Sequence, residues 1–389
     1  MKKPTSPATR PEGSGRSGKP LARLAVLVLS LAPLAGLADV GPAQTIASGL
    51  ANPRGIAFAP NGALYVAENG LGGPGPCVPS PVAPAPRCYG ETGAVSVILP
   101  GVGFRRVATG LPSLALPNGS AEGGPAHLSF HGMTAYLTIG LGGDPRDVRP
   151  AIGGKGDLFG KMLRVTPSGR WQAVADVAGH EVTDNPGGGA VDTNPYGVAA
   201  LPGRRVVADA GANALVEVLA NGRTRTLAVP AALPGGRESV PTSVVQGPDG
   251  ALYVGLLTGF PFNQDTASVL RYESDGSSVS TFASGLTAVV NLAFDAGGAL
   301  YILETASGHP GPFPPGPPNP GLGAGRLKRQ CPGGTPEVLV DGLTYPGGVA
   351  IGPDGAAYIT NFGTSPTAGE VLRLAVEPCQ CKPRRGRRR

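Results

Sequence analysis

NPRGIAFAPNGALYVAENG, residues 52–70, recurs as VPTSVVQGPDGALYVGLLT at 240–258 and as YPGGVAIGPDGAAYITNFG at 345–363. Each copy is a short apolar run, a Pro-Asn-Gly or Pro-Asp-Gly turn, and a second apolar run. Gly accepts positive φ freely and Asn or Asp tolerates it, so this turn between β-rich runs predicts a hairpin. Weaker copies stand at 124–140 (GPAHLSFHGMTAYLTIG), 194–211 (NPYGVAALPGRRVVADAG) and 288–306 (AVVNLAFDAGGALYILETA). A second hairpin follows, as in GAVSVILPGVGFRRVATGL (93–111) and SVLRYESDGSSVSTFASGL (268–286). Four short strands per repeat, six times over, predict an all-β, six-bladed β-propeller with four-stranded blades.

The last copy stops after its third strand, EVLRLAV at 370–376, while QTIASGL at 44–50 matches the fourth strands STFASGL, RRVATGL and EVLVDGL. The N-terminal strand is therefore expected to complete the last blade and close the ring, leaving no open sheet edge. The aligned column Tyr65, Tyr136, Tyr253, Tyr301 and Tyr358, with Val206 in the remaining copy, reads as packing between blades.

Within a blade the 1–2 and 3–4 turns share one face of the disc, and the 2–3 loops and inter-blade links share the other. The first set is uniformly tight. Nearly every insertion falls in the second: 69–92, 112–124, 140–159, 178–193, 257–266, 305–323 and 362–368. Long loops on a rigid scaffold are where binding concentrates, so this face is the expected site.

Two groups of side chains open there. At the end of strand 2 stand Glu68, Ile139, Asp209, Leu256, Glu304 and Asn361; near the start of strand 1 stand Arg54, His127, Tyr196, Thr242 and Asn291. Glu68, Asp209, Glu304 and Asn361 would suit a hard cation such as Ca²⁺, which could polarise an ester or lactone oxygen for hydrolysis. The same groups would otherwise cap strand ends and bond across blades. Arg54, Tyr196, Phe260 and Phe262 are the expected contacts for a small molecule or a protein partner. The loop HEVTDNPGGGAVDTN (180–194) reads as turns rather than a cation cradle. GLGG at 70–73 and 140–143 is expected to turn the backbone, since no helical pattern follows either copy. No G-x-S-x-G elbow is present, and His127, His131, His180 and His309 have no neighbouring Ser or Cys in a recognisable pattern, so the sequence predicts no serine-hydrolase site.

Composition fits this reading. Among 389 residues are 63 Gly and 43 Pro, a turn-rich share, yet 41% are hydrophobic, enough for a large core. The net charge of +6 resides in the flanks: six of seven charges before Asp39 are basic, and so are all six after Cys379, leaving Asp39–Cys379 at −5. A mildly acidic body carries no footprint for nucleic acid. Basic residues before the apolar run Leu24–Leu37, with Gly36-Leu37-Ala38 behind it, read as an export signal over 1–38. The run is too short and too broken by Pro33 for a membrane span. The propeller is then expected over 39–378, followed by a basic, disordered tail at 379–389, in a secreted or periplasmic monomer. In that setting Cys77 and Cys88, which bracket a Pro-rich loop, should bond. Cys379 and Cys381 are too close for an easy bridge, so one is expected to pair with Cys331.

The motifs PCVP…CYGETGAV (76–95), LTIGLGGDP (137–145), NPYGV (194–198), VADAG (207–211) and LTGFPF (257–262), in this order, resemble the ScyD/ScyE family over about 44–376. That resemblance implies an exported six-bladed propeller related in shape to NHL-repeat and strictosidine-synthase-like proteins. The family is named for genes of the biosynthesis of scytonemin, a cyanobacterial sunscreen pigment, which implies a place in secondary metabolism. The family pattern carries an acid where this chain has Leu256 and a His-Asp pair where it has GPAHLSF, so this chain's polar ring is thinner.

Overall fold

The structure, a computed structural model, describes residues 41–308 and 323–379. The expected export signal, the tail beyond Cys379, Cys381 and His309 lie outside the described residues. In chain order the strands are β1 (Gln44–Leu50), β2 (Pro53–Phe58), β3 (Leu64–Glu68), the two-residue β4 (Cys77–Val78), β5 (Arg87–Leu99) and β6 (Gly103–Ala115). Then come β7 (Ala121–His131), β8 (Thr134–Gly140), β9 (Lys161–Val165), β10 (Trp171–Asp176), β11 (Pro195–Leu201), β12 (Arg204–Asp209), β13 (Ala214–Leu219) and β14 (Thr224–Ala228). They continue as β15 (Pro241–Gln246), β16 (Leu252–Leu256), β17 (Ala267–Tyr272), β18 (Val279–Leu286), β19 (Val289–Phe294), β20 (Leu300–Glu304), β21 (Gly325–Gln330) and β22 (Glu337–Leu343). The last are β23 (Gly348–Ile351), β24 (Ala357–Asn361) and β25 (Gly369–Leu374).

β11–β14, β15–β18 and β19–β22 are separate four-stranded sheets, each in chain order. A fourth has the order β1-β25-β24-β23, with Gln44 opposite Arg373 and Leu50 opposite Gly369, so the first strand completes the last sheet. The remaining strands form one nine-stranded sheet that runs from β2 to β10. It is continuous because β6 pairs onward with β7, Leu114 facing Gly123 and Ala115 facing Ala121. The first strands of the repeats neighbour one another in a closed cycle, β2, β7, β11, β15, β19, β23 and back to β2.

Two insertions read as loops are partly sheet. β5 begins at Arg87 and β6 runs on to Ala115, so part of 69–92 and 112–124 extends a hairpin. The Cys77–Cys88 disulfide explains the extension: it ties β4 to β5 at Cys88, which also pairs with Ala115 of β6. Two helices were also unforeseen, α1 (Pro145–Ile152) and α2 (Val177–Asp184). Asp144 caps α1 by accepting from Arg146 N, with Pro145 in the first turn where its missing N–H costs nothing; Asp176 caps α2 by accepting from Gly179 N. GLGG at 140–143 therefore does lead into a helix, contrary to the sequence reading, but the Asp144 carboxylate already occupies that helix's N-terminus.

The core lies between neighbouring sheets. Tyr253 packs edge-on against Phe282 and Phe294, each ring centroid 4.8 Å away. Its hydroxyl reaches Asp249 of the Pro-Asp-Gly turn, and Asp249 also binds Arg271 on the next strand. Asp354, Tyr358 and Arg373 repeat this trio. Val206 and the Tyr column are buried or half-buried, in keeping with packing between blades. The second expected disulfide joins Cys331 to Cys379.

Candidate functional site

The end-of-strand-2 acids act on the backbone of their own repeats. Glu68 Oε2 accepts the Ala51 N–H at 2.8 Å, Glu304 Oε1 the Thr287 N–H at 2.8 Å, and Asn361 Oδ1 the Thr344 N–H at 2.8 Å. Asp209 accepts the Asn194 N–H at 2.6 Å and the Thr193 hydroxyl at 2.5 Å. Each acceptor thus caps the link that leads into the first strand of its repeat. Basic partners on outer strands complete the set: Arg106 on Glu68 and Lys328 on Glu304, both at 2.6 Å.

Most oxygens of the expected Ca²⁺ ligands are already engaged, although the buried Glu304 Oε2 has no partner. Glu68 already takes Ala51 N, Ser96 Oγ and two nitrogens of Arg106, and the Asn361 oxygen takes Thr344 N while its amide nitrogen donates to Glu370. Among the described residues no three His, Cys, Asp or Glu side chains stand together as a metal site. Two repeats lack the cap. Ile139 and Leu256 are apolar, and beside Leu256 the buried hydroxyls of Ser239 and Thr258 find no partner.

At the start of strand 1, side chains bridge different repeats. Asn291 Oδ1 accepts the Val349 N–H at 2.9 Å, which turns its amide nitrogen toward His127 Nε2, also 2.9 Å away. An amide N–H can only donate, so Nε2 is the acceptor and the imidazole proton sits on Nδ1. Complete burial drives the His127 pKa down to about 4, which keeps the ring neutral. The strands approach so closely here that a Cβ at Gly55 would stand 2.6 Å from the His127 Cα. Arg54, half-buried on β2, donates to Ala121 O at 2.8 Å, and Tyr196, half-buried on β11, packs against the cluster that contains Val290 and Val349.

Backbone strain divides the two faces. Every 1–2 turn spends a glycine at positive φ: Gly62, Gly132, Gly203, Gly250, Gly298 and Gly355. Among the described residues, all ten non-glycine residues at positive φ lie instead in the 2–3 loops or the links. They include the bulky or branched Val240, Thr258, Phe262, Tyr345 and Phe362, for which this conformation carries a steric cost. Phe260 and Phe262 flank Pro261 on the 257–266 loop with ring centroids 5.8 Å apart, and Phe260 is 60% exposed.

The same face is bolted near β5 by Arg87, a fully buried guanidinium. It donates to Pro79 O at 3.2 Å, Leu141 O at 2.6 Å and Gly142 O at 2.5 Å, and burial lowers its pKa. In the 180–194 loop, α2 occupies the first third, and Asp192 Oδ1 accepts the Gly143 N–H at 2.7 Å. Burial, reinforced by neighbouring carboxylates, raises Glu181 to about 7 and Asp209 to about 6.

No protein-family model and no curated protein matches the chain. Solved structures do. A Bacteroides thetaiotaomicron protein of unknown function is 11% identical with a TM-score of 0.51, over 86% of this chain and 76% of its own. A glucose dehydrogenase is 14% identical with a TM-score of 0.50, over 87% of this chain and all of its own. The soluble aldose sugar dehydrogenase of Escherichia coli is 11% identical with a TM-score of 0.50, over 86% and 99%. Likeness at these identities shows the fold alone: an all-β propeller. Among the described residues no helix is long and apolar enough to cross a membrane.

Proposed function

We propose that this chain is an exported six-bladed propeller of the ScyD/ScyE type that binds a small molecule or a protein partner on its loop-rich face. The count of six takes the nine-stranded sheet as two blades and follows the closed cycle of first strands. Two disulfides within one domain support an oxidising compartment. The motif order from PCVP to LTGFPF supports the family reading.

One observation carries the binding assignment. Steric strain and nearly all chain insertions fall on one face, while the other face makes its turns with glycine at no cost. Strain of about 1–3 kcal/mol per residue persists where the surroundings hold it in place, and it gathers at functional surfaces. Arg54, Tyr196, Phe260 and Phe262 are the proposed contacts. A thermal-shift screen of small aromatic and polar metabolites, paired with pull-downs from envelope extracts, should yield a ligand or partner. Replacing all four residues by Ala should abolish that binding while circular dichroism stays unchanged. Equal affinity in the folded quadruple variant would refute the placement.

A further inference from the structure

On α2, between the second and third repeats, the His180 side chain is 2% exposed. Its Nδ1 lies 3.1 Å from Asp184 Oδ2, and its Nε2 lies 2.9 Å from the hydroxyl of Thr226 on β14. Asp184 can only accept when ionised, so the ring proton sits on Nδ1 and the Nε2 lone pair receives the Thr226 hydroxyl proton. We propose that Thr226, His180 and Asp184 form a hydroxyl–imidazole–carboxylate relay that performs slow acyl transfer from small carboxylic esters, independent of the loop-face ligand.

Spacing and protonation suit that role. A hydroxyl is a weak nucleophile until a base within hydrogen-bond reach takes its proton, and a third group must orient the base. Burial lowers the His180 pKa, against the opposing pull of Asp184, so the ring is in its neutral, basic form at pH 7. Thr226 is half-buried on β14, the outermost strand of its sheet. A cleft of about 180 Å³ lies between the same two repeats, lined by Tyr136, Met162, Arg164, Val174 of β10, Arg205 and Val218 of β13, and none of the three relay residues lines it. Val218 pairs with Thr224, two residues before Thr226, so Thr226 shares that face of the sheet about 7 Å further along.

In the first step Thr226 Oγ1 bonds to the ester carbonyl carbon and passes its proton to His180 Nε2. The tetrahedral intermediate collapses, the carbon–alkoxy bond breaks, and the alcohol leaves with the proton from Nε2. Water, deprotonated by the same nitrogen, then releases the acid and restores the hydroxyl. His180 and Thr226 act on the reacting atoms, and Asp184 positions the ring.

The test is covalent labelling of the intact chain with a fluorophosphonate, which traps such nucleophiles, followed by peptide mapping. An adduct on Thr226 is expected, reduced at least tenfold in His180→Gln and about tenfold in Asp184→Asn. Labelling should rise with pH through the titration of one imidazole. Thr226→Ser, which keeps the hydroxyl, should label at least as fast. No adduct on Thr226 under conditions that label an ordinary serine hydrolase would overturn the proposal. So would an adduct that survives His180→Gln unchanged, or an adduct elsewhere only. Circular dichroism of each variant separates lost reactivity from lost folding. Should His180→Gln unfold the chain, Thr226→Ser and the pH profile still decide.

Discussion

Glu68→Gln separates a structural cap from a metal ligand. Every group that reaches Glu68 is a donor: Ala51 N, Ser96 Oγ, and Nε and Nη2 of Arg106. A glutamine of the same shape must turn its NH₂ toward at least one of them, so one hydrogen bond becomes donor against donor and the charge opposite Arg106 disappears. Breaking a fully buried pair by removing one partner costs about 3–5 kcal/mol. The Arg106 side chain is 41% exposed, so water recovers part of that loss and about 2–3 kcal/mol is expected. For a domain of this size each kcal/mol lowers Tm by about 2 °C, giving a drop of about 5 °C by differential scanning calorimetry. The cap predicts the same drop with and without EDTA, and no effect of EDTA on the parent chain. If EDTA lowers the parent Tm by as much as the substitution does, and leaves the variant unmoved, Glu68 is a ligand and the reasoning here fails.

Other outcomes are equally open to measurement. The native state holds His127 at about 4 against 6.5 for a free imidazole, so between those values the unfolded chain binds more protons and stability rises with pH. Urea unfolding of the parent and of His127→Gln from pH 4 to 7 should show the parent gaining about 3 kcal/mol relative to the variant. The raised carboxyls of Glu181 and Asp209 act in the opposite direction but are common to both chains and cancel, so a flat difference would mean that His127 is not buried neutral. Breaking Cys331–Cys379, which spans 48 residues, should cost about 4 kcal/mol, against about 3 kcal/mol for Cys77–Cys88, which spans 11. Serine double variants in urea test that order.

The repeats made the strand order and the closing strand legible, because period-two patterning and glycine turns are local signals. The extension that fuses the first two repeats into one sheet was not, since it depends on β6 meeting β7 across a link. α1 and α2 hid inside expected loops. Asp144-Pro145 ahead of α1 was a start signal that could have found the first, whereas α2 has a weaker apolar pattern. For the candidate site, the sequence picked out the acids but not their direction. A separation of 17 residues between Ala51 and Glu68, repeated between Thr287 and Glu304 and between Thr344 and Asn361, is the trace of the cap in the sequence. The contacts of His127 with Asn291, 164 residues on, and of His180 with Thr226, 46 residues on, exist only once the ring is assembled.

The pairing of β1 with β25 also sets a timetable. Thr45 and Glu370, which hydrogen-bond across that ladder, are 325 residues apart in the chain. Synthesised from its N-terminus, β1 must wait for nearly the whole domain before its partner exists, and a pairing this distant is slow to form. Until then β1 and the last sheet each present an unpaired edge. A truncated chain is therefore a sticky one, and the domain gains its protection in a single late step.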